Sequence, residues 1–503
     1  MSRLVADWLD VHARSQPDLE AVHDVGTSWS FAQLHVASGA LAEALAAEGI
    51  MRGDRIATLL EDDAAAVSLI HAVRRLGAVL VPLNRRSEAA ELGYQLVAAG
   101  AGLLVHDERH QTLSLAAAKV AAADVAAQAQ DVAQGSATVA LVTMGRLQGC
   151  AAEANGHESR AQLDLDAPAT ILFTSGTTAR PKAVVLTHGN HVASADAWAI
   201  LLRPRASDRW LVCLPLFHVA GQAMVTRASR WGVPLEVHDR FDAAAVDAAI
   251  EAGVSHLSLV PALLAQLIAV RAARPTPPTL RAILLGGGPL PTSLLAGAAA
   301  LGLPVITTYG MTETASGLAA GGAVILPHAA PGALRPLSGA QLQVQPDSSE
   351  ILVRGPMVFD RYLHDEADSS AIQREGWFAT GDIGHLDADG LLHVSNRRAD
   401  LVISGGENIS PAEVEAVLTA HPGISEAAVL GRADRRWGEV PVAVIVVAPG
   451  AMVSDATLAA HCRERLARFK VPVAFHRRRT LPRNAAGKIL RSELRKSLRE
   501  ESD

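Results

Sequence analysis

The sequence predicts an α/β protein with two domains: a large N-terminal domain of β-sheets flanked by helices, and a small mobile α+β domain. Strand and helix patterns alternate from residue 1 to about residue 110, as they do in sheets whose faces are covered by helices. The last hundred or so residues alternate in the same way, after a polar segment. A chain of 503 residues is long enough for both domains to bury a core.

The polar segment Asn396–Asp400 reads as a linker and sets the predicted boundaries. We expect residues 1–396 to form the N-terminal domain, 397–401 a hinge, and 402–503 the C-terminal domain.

In the first part, periodicity predicts helices over Phe31–Ile50 and Ala64–Leu76, and strands over Arg55–Leu60 and Gly77–Leu83. Residues 111–165, rich in Ala, Gln and Asp, fit either a loose helix or a long loop.

The composition argues against several classes of function. Although 49% of the residues are hydrophobic, no uncharged apolar run reaches the roughly 18 residues that span a bilayer. Met1–Asp10 carries two aspartates and does not resemble a signal peptide. The three cysteines are widely separated, which predicts neither a disulfide framework nor a metal cluster, and the net charge of −7 argues against nucleic-acid binding. The cytoplasm is the simplest compartment.

The segment Thr170–His188 carries the first chemical signal. Two apolar runs, Ile171–Phe173 and Val184–Val185, predict strands on either side of small hydroxylated residues and a lysine. The residues between them that could bind an anion are Thr174, Ser175, Gly176, Thr177, Thr178 and Lys182. Backbone N–H groups and hydroxyls can surround phosphoryl oxygens while a lysine neutralises charge, so the loop is interpreted as a phosphate cradle. An ordinary Ser/Thr-rich turn is the alternative.

Leu214–Gly221 places His218 after an apolar run, which suggests a strand that ends at a cleft. A lone histidine beside apolar residues is also common as a satisfied core residue. Arg227 follows in a mostly apolar stretch, and because burying an unpaired arginine is costly, it should face an anion or solvent. A surface arginine on an amphipathic helix is the simpler interpretation.

Two later motifs predict a nucleotide site. An apolar strand runs into Gly286, Gly287 and Gly288, where a flat ring could lie against the backbone, although the glycines could equally form only a turn. The strand that starts at Val305 leads into a more specific motif, which comprises Thr308, Tyr309, Gly310, Met311, Thr312 and Glu313. A tyrosine can stack on a base, and a carboxylate near polyphosphate usually holds Mg²⁺.

The remaining candidates lie towards the C-terminus. Asp382, between two glycines, could accept hydrogen bonds from a ribose diol or could be a turn aspartate. A hairpin with an Asp-Gly turn follows at Leu386–Val394. Ser404–Asn408, with Gly405 and Gly406, predicts a tight loop, and Lys488 lies on a glycine-bearing loop before a helix. We interpret that loop as delivering one charge, although basic tails are usually solvated.

These six separated motifs, in this order, resemble those of the adenylate-forming family, which includes acyl-CoA synthetases, adenylation domains and luciferases. The resemblance covers essentially the whole chain. Three positions depart from the family pattern, because Ala179, Ala183 and Asn396 stand where glycine is usual. Alanine at a position that needs φ > 0 would cost on the order of 1 kcal/mol.

The resemblance implies an acid–thiol ligase with ATP, Mg²⁺ and coenzyme A, acting on a small carboxylic acid through an acyl-adenylate. It implies that Lys488 acts on the charge between carboxylate and α-phosphate, and that Glu313 and Thr178 hold the metal. The Thr174–Lys182 loop would bind pyrophosphate, Asp382 and Arg397 the ribose, and Tyr309 with Gly286–Gly288 the adenine. His218, Arg227 and Gly287 would border the acyl substrate. The hinge would turn at Asp400 and bring Gly405 and Gly406 to the pantetheine tunnel.

Other hypotheses remain. The chain could be an adenylation module that loads a carrier protein, although no carrier domain follows before residue 503. It could be a binding protein that kept the fold without activity, for which Ala179 and Ala183 are the only support. The acyl substrate could also be another aromatic or fatty acid. A homodimer is one expectation, but the sequence does not give the oligomeric state.

Overall fold

A computed structural model of the chain shows the predicted α/β architecture. It describes residues 3–128, 139–153, 162–174, 181–272, 274–288, 290–328, 332–363, 373–374, 376–397, 402–404, 407–409, 411–434, 438–466, 468–484 and 489–500. The α-helices of these residues are α1 (Trp8–Ser15), α2 (Phe31–Ala47), α3 (Ala64–Leu76), α4 (Ala89–Ala99), α5 (Gln111–Gln128), α6 (Met144–Glu153), α7 (His188–Leu202), α8 (Val219–Trp231), α9 (Ala243–Glu251), α10 (Pro261–Arg271), α11 (Thr292–Ala300), α12 (Pro411–Thr419), α13 (Asp455–Arg463) and α14 (Arg491–Glu500). Short 3₁₀ helices span Glu108–His110, Thr312–Thr314 and Arg468–Lys470.

The strands of the described residues are β1 (Leu4–Ala6), β2 (Glu20–His23), β3 (Ser28–Ser30), β4 (Arg55–Leu59), β5 (Val79–Pro82), β6 (Leu103–His106), β7 (Ala140–Thr143), β8 (Gln162–Asp164), β9 (Pro168–Thr174), β10 (Lys182–Thr187), β11 (Trp210–Val212), β12 (Leu235–Val237), β13 (His256–Leu259), β14 (Ala282–Leu285), β15 (Val305–Met311), β16 (Ser316–Gly321), β17 (Leu334–Pro336), β18 (Gln341–Val344), β19 (Glu350–Arg354), β20 (Arg361–Tyr362), β21 (Gln373–Arg374), β22 (Trp377–Leu386), β23 (Leu392–Arg397), β24 (Val402–Ser404), β25 (Glu407–Ile409), β26 (Ile424–Asp434), β27 (Gly438–Val447) and β28 (Phe475–Arg477).

Two large sheets form the N-terminal part. The first sheet has the order β20-β10-β9-β5-β4-β6-β7. The second has the order β18-β19-β22-β23-β17-β16-β15-β14-β13-β11-β12-β2-β3, with β21 beside β22. A smaller sheet, β25-β24-β27-β26 with β28 beside β27, belongs to the C-terminal part, and β1 pairs separately with β8.

Alternation along the strands gives each large sheet two buried faces. In β14, Ala282 and Leu284 join the same core as Ile56 of β4 in the first sheet, whereas Ile283 and Leu285 pack on the opposite face. Because successive side chains of a strand point to opposite faces, one apolar run serves both cores. The shared core also includes residues of α2, α3, α7 and α8, while α4 and α5 cover the other face of the first sheet, and α9, α10 and α11 that of the second.

Local signals explain the elements whose bounds were predicted best. Helix α3 begins and ends at the expected residues, because Asp63 accepts a hydrogen bond from the Ala66 N–H at 2.7 Å and Gly77 ends the helix with φ +66°. The Asp-Gly hairpin is also confirmed, with Gly390 at φ +74° between β22 and β23. Helix α2 is three residues shorter than predicted, since it ends at Ala47 rather than Ile50.

Three regions differ from the expectation or extend it. The open segment 111–165 contains α5, β7, α6 and β8. The strand expected to lead directly to His218 ends earlier, at Val212, and a loop follows it. Strand β23 continues through Arg397, so the predicted linker is two residues shorter, and Asp400 lies outside the described residues. The predicted domain boundaries themselves stay a prediction.

Buried histidines lie where α7 meets the first sheet. His191 Nε2 lies 2.9 Å from the Thr170 hydroxyl, and the neighbouring His188 is also buried. Burial, and then the positive charge of Arg74, lowers the pKa of each histidine from 6.5 to about 3. Both imidazoles are therefore neutral in the folded protein.

These lowered pKa values predict a loss of stability in acid. Since the folded state binds fewer protons than the unfolded state between pH 6.5 and about 3, stability falls as the pH falls through this window. His191→Gln keeps a hydrogen-bonding group but removes one titration, so its free energy of unfolding should decrease by about 2 kcal/mol less than that of the wild type between pH 7 and pH 5. Urea unfolding at the two pH values measures this difference. The exposed His328→Gln is the matched control, and an equal pH effect in both variants would contradict the prediction.

Candidate active site

The predicted phosphate loop connects two paired strands. Strands β9 and β10 are antiparallel, with Thr174 opposite Lys182 and Phe173 opposite Ala183. Ala183 is buried in β10 and is not among the residues with positive φ, so alanine causes no backbone strain at this position. Ser175, Gly176, Thr177, Thr178 and Ala179 lie outside the described residues.

Tyr362 joins the two charged residues at this end of the site. The Nζ atom of Lys182 lies 4.9 Å from the centre of the Tyr362 ring, and the Tyr362 hydroxyl donates to Glu313 Oε1 at 2.9 Å. Glu313 lies in the 3₁₀ helix after β15 and is only 9% exposed. A cation and a carboxylate are thus held at one corner, the cation at the face of a phenol ring and the carboxylate at its hydroxyl.

The role of Tyr362 is not predicted by the sequence. It reaches this corner because β20 pairs with β10, with Tyr362 opposite Val184, and this pairing joins segments far apart in the chain. The dipeptide Arg361–Tyr362 carries no local motif that would predict the contact.

A second tyrosine–carboxylate pair lies on the second sheet. The hydroxyl of Tyr309, in β15, donates to Asp382 Oδ2 at 2.9 Å. Asp382 is 5% exposed and lies in the interior of β22, with Arg397 opposite it on β23. The alternative of a turn aspartate is therefore wrong. The side chain of Arg397 lies outside the described atoms.

The predicted glycine platform follows β14, beside the strand that carries Tyr309. Thr308 Oγ1 donates to the carbonyl oxygen of Leu285 at 3.3 Å, and a Cβ on Gly286 would overlap this hydroxyl. Gly287 has φ +79°, a conformation that favours glycine. Gly288 follows with no such constraint.

Gly310 is required for a different reason. A Cβ there would overlap the carbonyl oxygen of Ser316 on the neighbouring strand, where the pairing of β15 with β16 shifts its register. Met311 pairs opposite Ser316, and the 3₁₀ helix begins at Thr312.

The turn before α8 is held at both backbone polar groups of one residue, Leu216. The Leu216 N–H donates to Asp62 Oδ1 at 3.0 Å, and Gln222 Nε2 donates to the Leu216 carbonyl at 2.6 Å. Helix α8 packs so closely on this turn that a Cβ on Gly221 would overlap Pro215. His218, at the N-terminal end of α8, is therefore held in place by its backbone.

The imidazole of His218 is not a satisfied core side chain. Its ring packs on Phe217 with 4.5 Å between centroids, and its buried Nε2 has no hydrogen-bond partner among the described residues. Burial, with a smaller contribution from Arg86, lowers the pKa of His218 to about 4. The ring is therefore neutral at pH 7 and presents a polar atom in a buried position.

Arg227 is fully enclosed, so its interpretation as a surface arginine is wrong. It lies in α8 and is 2% exposed. Its Nη2 donates to Ser316 Oγ at 3.3 Å, and its guanidinium carbon lies 5.1 Å from the ring centre of Trp198 and 5.9 Å from that of Trp210. Its Nε has no partner, and the structure pairs it with no carboxylate among the residues it describes. Burial lowers the pKa of Arg227 to about 9, which leaves it charged at neutral pH.

Of the predicted metal and lid residues, only Glu313 lies among the described residues. Across the described ranges, no group of three or more His, Cys, Asp or Glu side chains could hold a metal ion. Mg²⁺ that enters with a nucleotide needs only one or two protein carboxylates, which Glu313 fits. Lys488, Gly405 and Gly406 lie outside the described residues, although Ser404 pairs opposite Glu407 as expected for a tight hairpin.

Among the described helices, none is long and apolar enough to cross a membrane.

A hairpin at the predicted phosphate loop, two buried carboxylates held by tyrosine hydroxyls and a small C-terminal sheet together match the class of adenylate-forming enzymes. Comparison with known families agrees. The AMP-binding enzyme family matches residues 9–363, and its C-terminal domain matches residues 413–488. The chain belongs to the family of AMP-binding enzymes.

Individual relatives are similar over their whole length. The chain is 39% identical over 501 residues to 2-succinylbenzoate–CoA ligase of Geobacillus kaustophilus, with 97% of each chain covered. It is 36% identical to the solved o-succinylbenzoate CoA synthetase of Bacillus subtilis in complex with ATP and magnesium ion, with a TM-score of 0.88 and coverage of 98% and 100%. ATP-bound MatB from Rhodopseudomonas palustris gives 29% identity, a TM-score of 0.87 and coverage of 99% and 100%. The chain is thus an AMP-forming acid–thiol ligase, which joins a carboxylic acid to coenzyme A through an acyl-adenylate.

Proposed function

We propose that this enzyme activates 2-succinylbenzoate and transfers it to coenzyme A, a step of menaquinone biosynthesis, in the cytoplasm. The observation that carries the proposal is Arg227, a buried cation with no carboxylate partner among the described residues. 2-Succinylbenzoate has two carboxylates: the one on the succinyl chain is activated, and the one on the ring needs a counter-charge. The similar ligases from Geobacillus and Bacillus support the same substrate.

The first half-reaction replaces a poor leaving group. An oxygen of the succinyl carboxylate attacks the α-phosphorus of ATP, the bond from that phosphorus to the bridging oxygen breaks, and pyrophosphate leaves with its electron pair. Catalysis of such a step consists of positioning and charge neutralisation. Lys488 would stabilise the charge that develops between carboxylate and α-phosphate. Thr174, Lys182 and the hydroxyls between them would hold the pyrophosphate.

The nucleotide would lie between the two tyrosine–carboxylate pairs. Asp382 and Arg397 would bind the ribose, and Tyr309 with Gly286–Gly288 the adenine. Glu313, with Thr178, would hold Mg²⁺, which when bound neutralises charge on the phosphates. The contact of Tyr362 with both Lys182 and Glu313 supports this arrangement.

In the second half-reaction the thiol sulfur of coenzyme A attacks the acyl carbon, its proton is released, and AMP leaves. His218 would form the wall between the acyl group and the adenylate, where its neutral ring adds no charge. Rotation of the C-terminal domain at Asp400 would withdraw Lys488 and bring Gly405 and Gly406 to the pantetheine.

Replacement of Arg227 tests the substrate. Arg227→Gln should raise KM for 2-succinylbenzoate by about 10- to 100-fold, the usual effect of losing a hydrogen bond between charged groups. KM for ATP should change less than about twofold, since the two sites are separate. Pyrophosphate release measures both values.

The matched controls are a second arginine and a second acid. Arg230→Gln changes an arginine of the same helix that is partly exposed and bonded to Asp196 at 3.1 Å, and it should keep the wild-type KM. 4-Oxo-4-phenylbutanoate lacks only the ring carboxylate and should be insensitive to Arg227→Gln. An unchanged KM for 2-succinylbenzoate would remove this role of Arg227 and favour a ligase for another aromatic or medium-chain acid.

The two tyrosine–carboxylate pairs predict different defects. Tyr362→Phe removes the donor to Glu313 and should raise the Mg²⁺ concentration at half-maximal activity by about tenfold, whereas Tyr309→Phe should raise KM for ATP by a similar factor. Initial rates over a grid of Mg²⁺ and ATP concentrations separate the two effects. Each variant is the control for the other, and identical changes in both would contradict the separate assignments.

Lys488→Ala should separate the half-reactions. Adenylation should fall by several orders of magnitude, because the charge at the α-phosphate is lost, while thiol transfer from pre-formed acyl-adenylate should survive. Single-turnover assays of each half-reaction measure this. Lys496→Ala, an exposed lysine of α14, is the control. Equal loss of both half-reactions in Lys488→Ala would count against rotation of the C-terminal domain.

A further inference from the structure

The surroundings of Arg227 differ from those of another fully buried arginine, Arg271. Arg271, which is also fully buried, has carboxylate partners in Asp247 and Glu251. Arg227 has instead two indole rings and one serine hydroxyl. A carboxylate partner would neutralise the guanidinium and compete with any anionic ligand. Aromatic faces stabilise a cation without occupying its hydrogen-bonding groups in this way.

Both indoles are fixed independently of Arg227. Trp210, in β11, stacks on His256 with 5.0 Å between ring centres and 13° between planes. Trp198, in α7, donates from Nε1 to the carbonyl oxygen of Gly317 at 3.2 Å. Each ring therefore presents a constrained face to the guanidinium.

Trp198 also contacts the segment that carries the hydroxyl partner of Arg227. Ser316 has φ +98°, a conformation that residues with side chains rarely adopt, and its Oγ accepts from Arg227. The hydrogen bond of Trp198 holds the next carbonyl, and a Cβ on Gly317 would lie 2.9 Å from Trp198 Cζ2. Close packing of one indole thus restrains both the cation and the strained serine.

We propose that Trp198 and Trp210 form a cage that positions the Arg227 guanidinium for the second carboxylate of a dicarboxylic substrate, and that Trp198 is a specificity-determining residue. This inference rests on the proposed function, because the ring carboxylate is the anion concerned. Trp198 acts through Arg227 and Ser316 and is a positioning residue. Its loss should therefore affect the dicarboxylate much more than a monocarboxylate of the same shape.

The experiment compares two acids on one set of variants. For wild type, Trp198→Phe and Trp198→Leu, kcat and KM are measured with 2-succinylbenzoate and with 4-oxo-4-phenylbutanoate, at saturating ATP and coenzyme A. Trp198→Leu should raise KM for the dicarboxylate by about tenfold, and Trp198→Phe, which keeps an aromatic face, by a smaller factor. KM for the monocarboxylate should change less than about twofold in both. The ratio of the two kcat/KM values does not depend on the folded fraction, so Trp198→Phe suffices if Trp198→Leu folds poorly.

Trp231→Leu is the matched control. Trp231 packs against Trp210 in a tilted arrangement, with 5.6 Å between ring centres, but within the described chain it makes no cation–π contact with Arg227. The Trp231→Leu variant should keep the wild-type preference between the two acids. Equal loss on both acids in the Trp198 variants, or the same loss of preference in Trp231→Leu, would overturn the cage.

Failure of the cage and failure of the proposed substrate are distinguishable. If wild type shows no preference for the dicarboxylate, both the proposed function and the cage are contradicted. If wild type prefers the dicarboxylate and Arg227→Gln abolishes the preference, but Trp198→Phe and Trp198→Leu retain it, only the cage is overturned.

Discussion

The contact between Tyr362 and Glu313 joins the two large sheets at the site. Tyr362 belongs to the edge strand β20 of the first sheet, and Glu313 follows β15 of the second. The Phe359 N–H also donates to the Glu313 carbonyl, at 2.7 Å. Because the phosphate-loop hairpin lies on one sheet and the tyrosine–carboxylate pair of Tyr309 on the other, these hydrogen bonds fix the relative position of the two halves. In the proposed function, a nucleotide site that spans the two sheets would depend on that constraint.

The charged groups of the proposed site lie in different surroundings. At the phosphate corner, Lys182 contacts the face of the Tyr362 ring and Glu313 accepts from its hydroxyl, so a cation and an anion lie beside one phenol. Arg227 lies among indoles without such compensation, although burying an unpaired charge costs several kcal/mol. His218, between these regions in the proposed arrangement, adds no charge because burial keeps its imidazole neutral. A cost of that size at Arg227 is understandable where a ligand supplies the missing anion.

Local patterns predicted local structure, and they failed where contacts join distant segments. The cap residues Asp63 and Gly77 fix α3 within a few residues of sequence, so its bounds could be predicted. Asp382 and Tyr309 were each predicted from a motif, but their hydrogen bond joins residues 73 positions apart and could not be. For the same reason, the contacts of Arg227 with Trp198 and Trp210 could not be predicted. Nor could the hydrogen bond between Asp62 and the Leu216 N–H, 154 positions away. For the segment 111–165 the sequence allowed both a helix and a loop, since its many alanines give no clear amphipathic period.

Glu313 and Ser316, the hydroxyl partner of Arg227, are linked by a very short, well-bonded segment. Only Thr314 and Ala315 separate Glu313 from Ser316. The Met311 N–H donates to the Thr314 hydroxyl at 2.9 Å, and this hydroxyl donates to the Ser316 carbonyl at 2.7 Å. Ala315 and Ser316 both have positive φ, so the chain reverses here at a conformational cost that only surrounding contacts can maintain. In the proposed function, the distance between the residue that holds the metal and the hydroxyl beside Arg227 is set by this segment. The backbone would then fix where the hydroxyl partner of Arg227 lies relative to Glu313, and the side chains of Arg227 and Trp198 would act from that position.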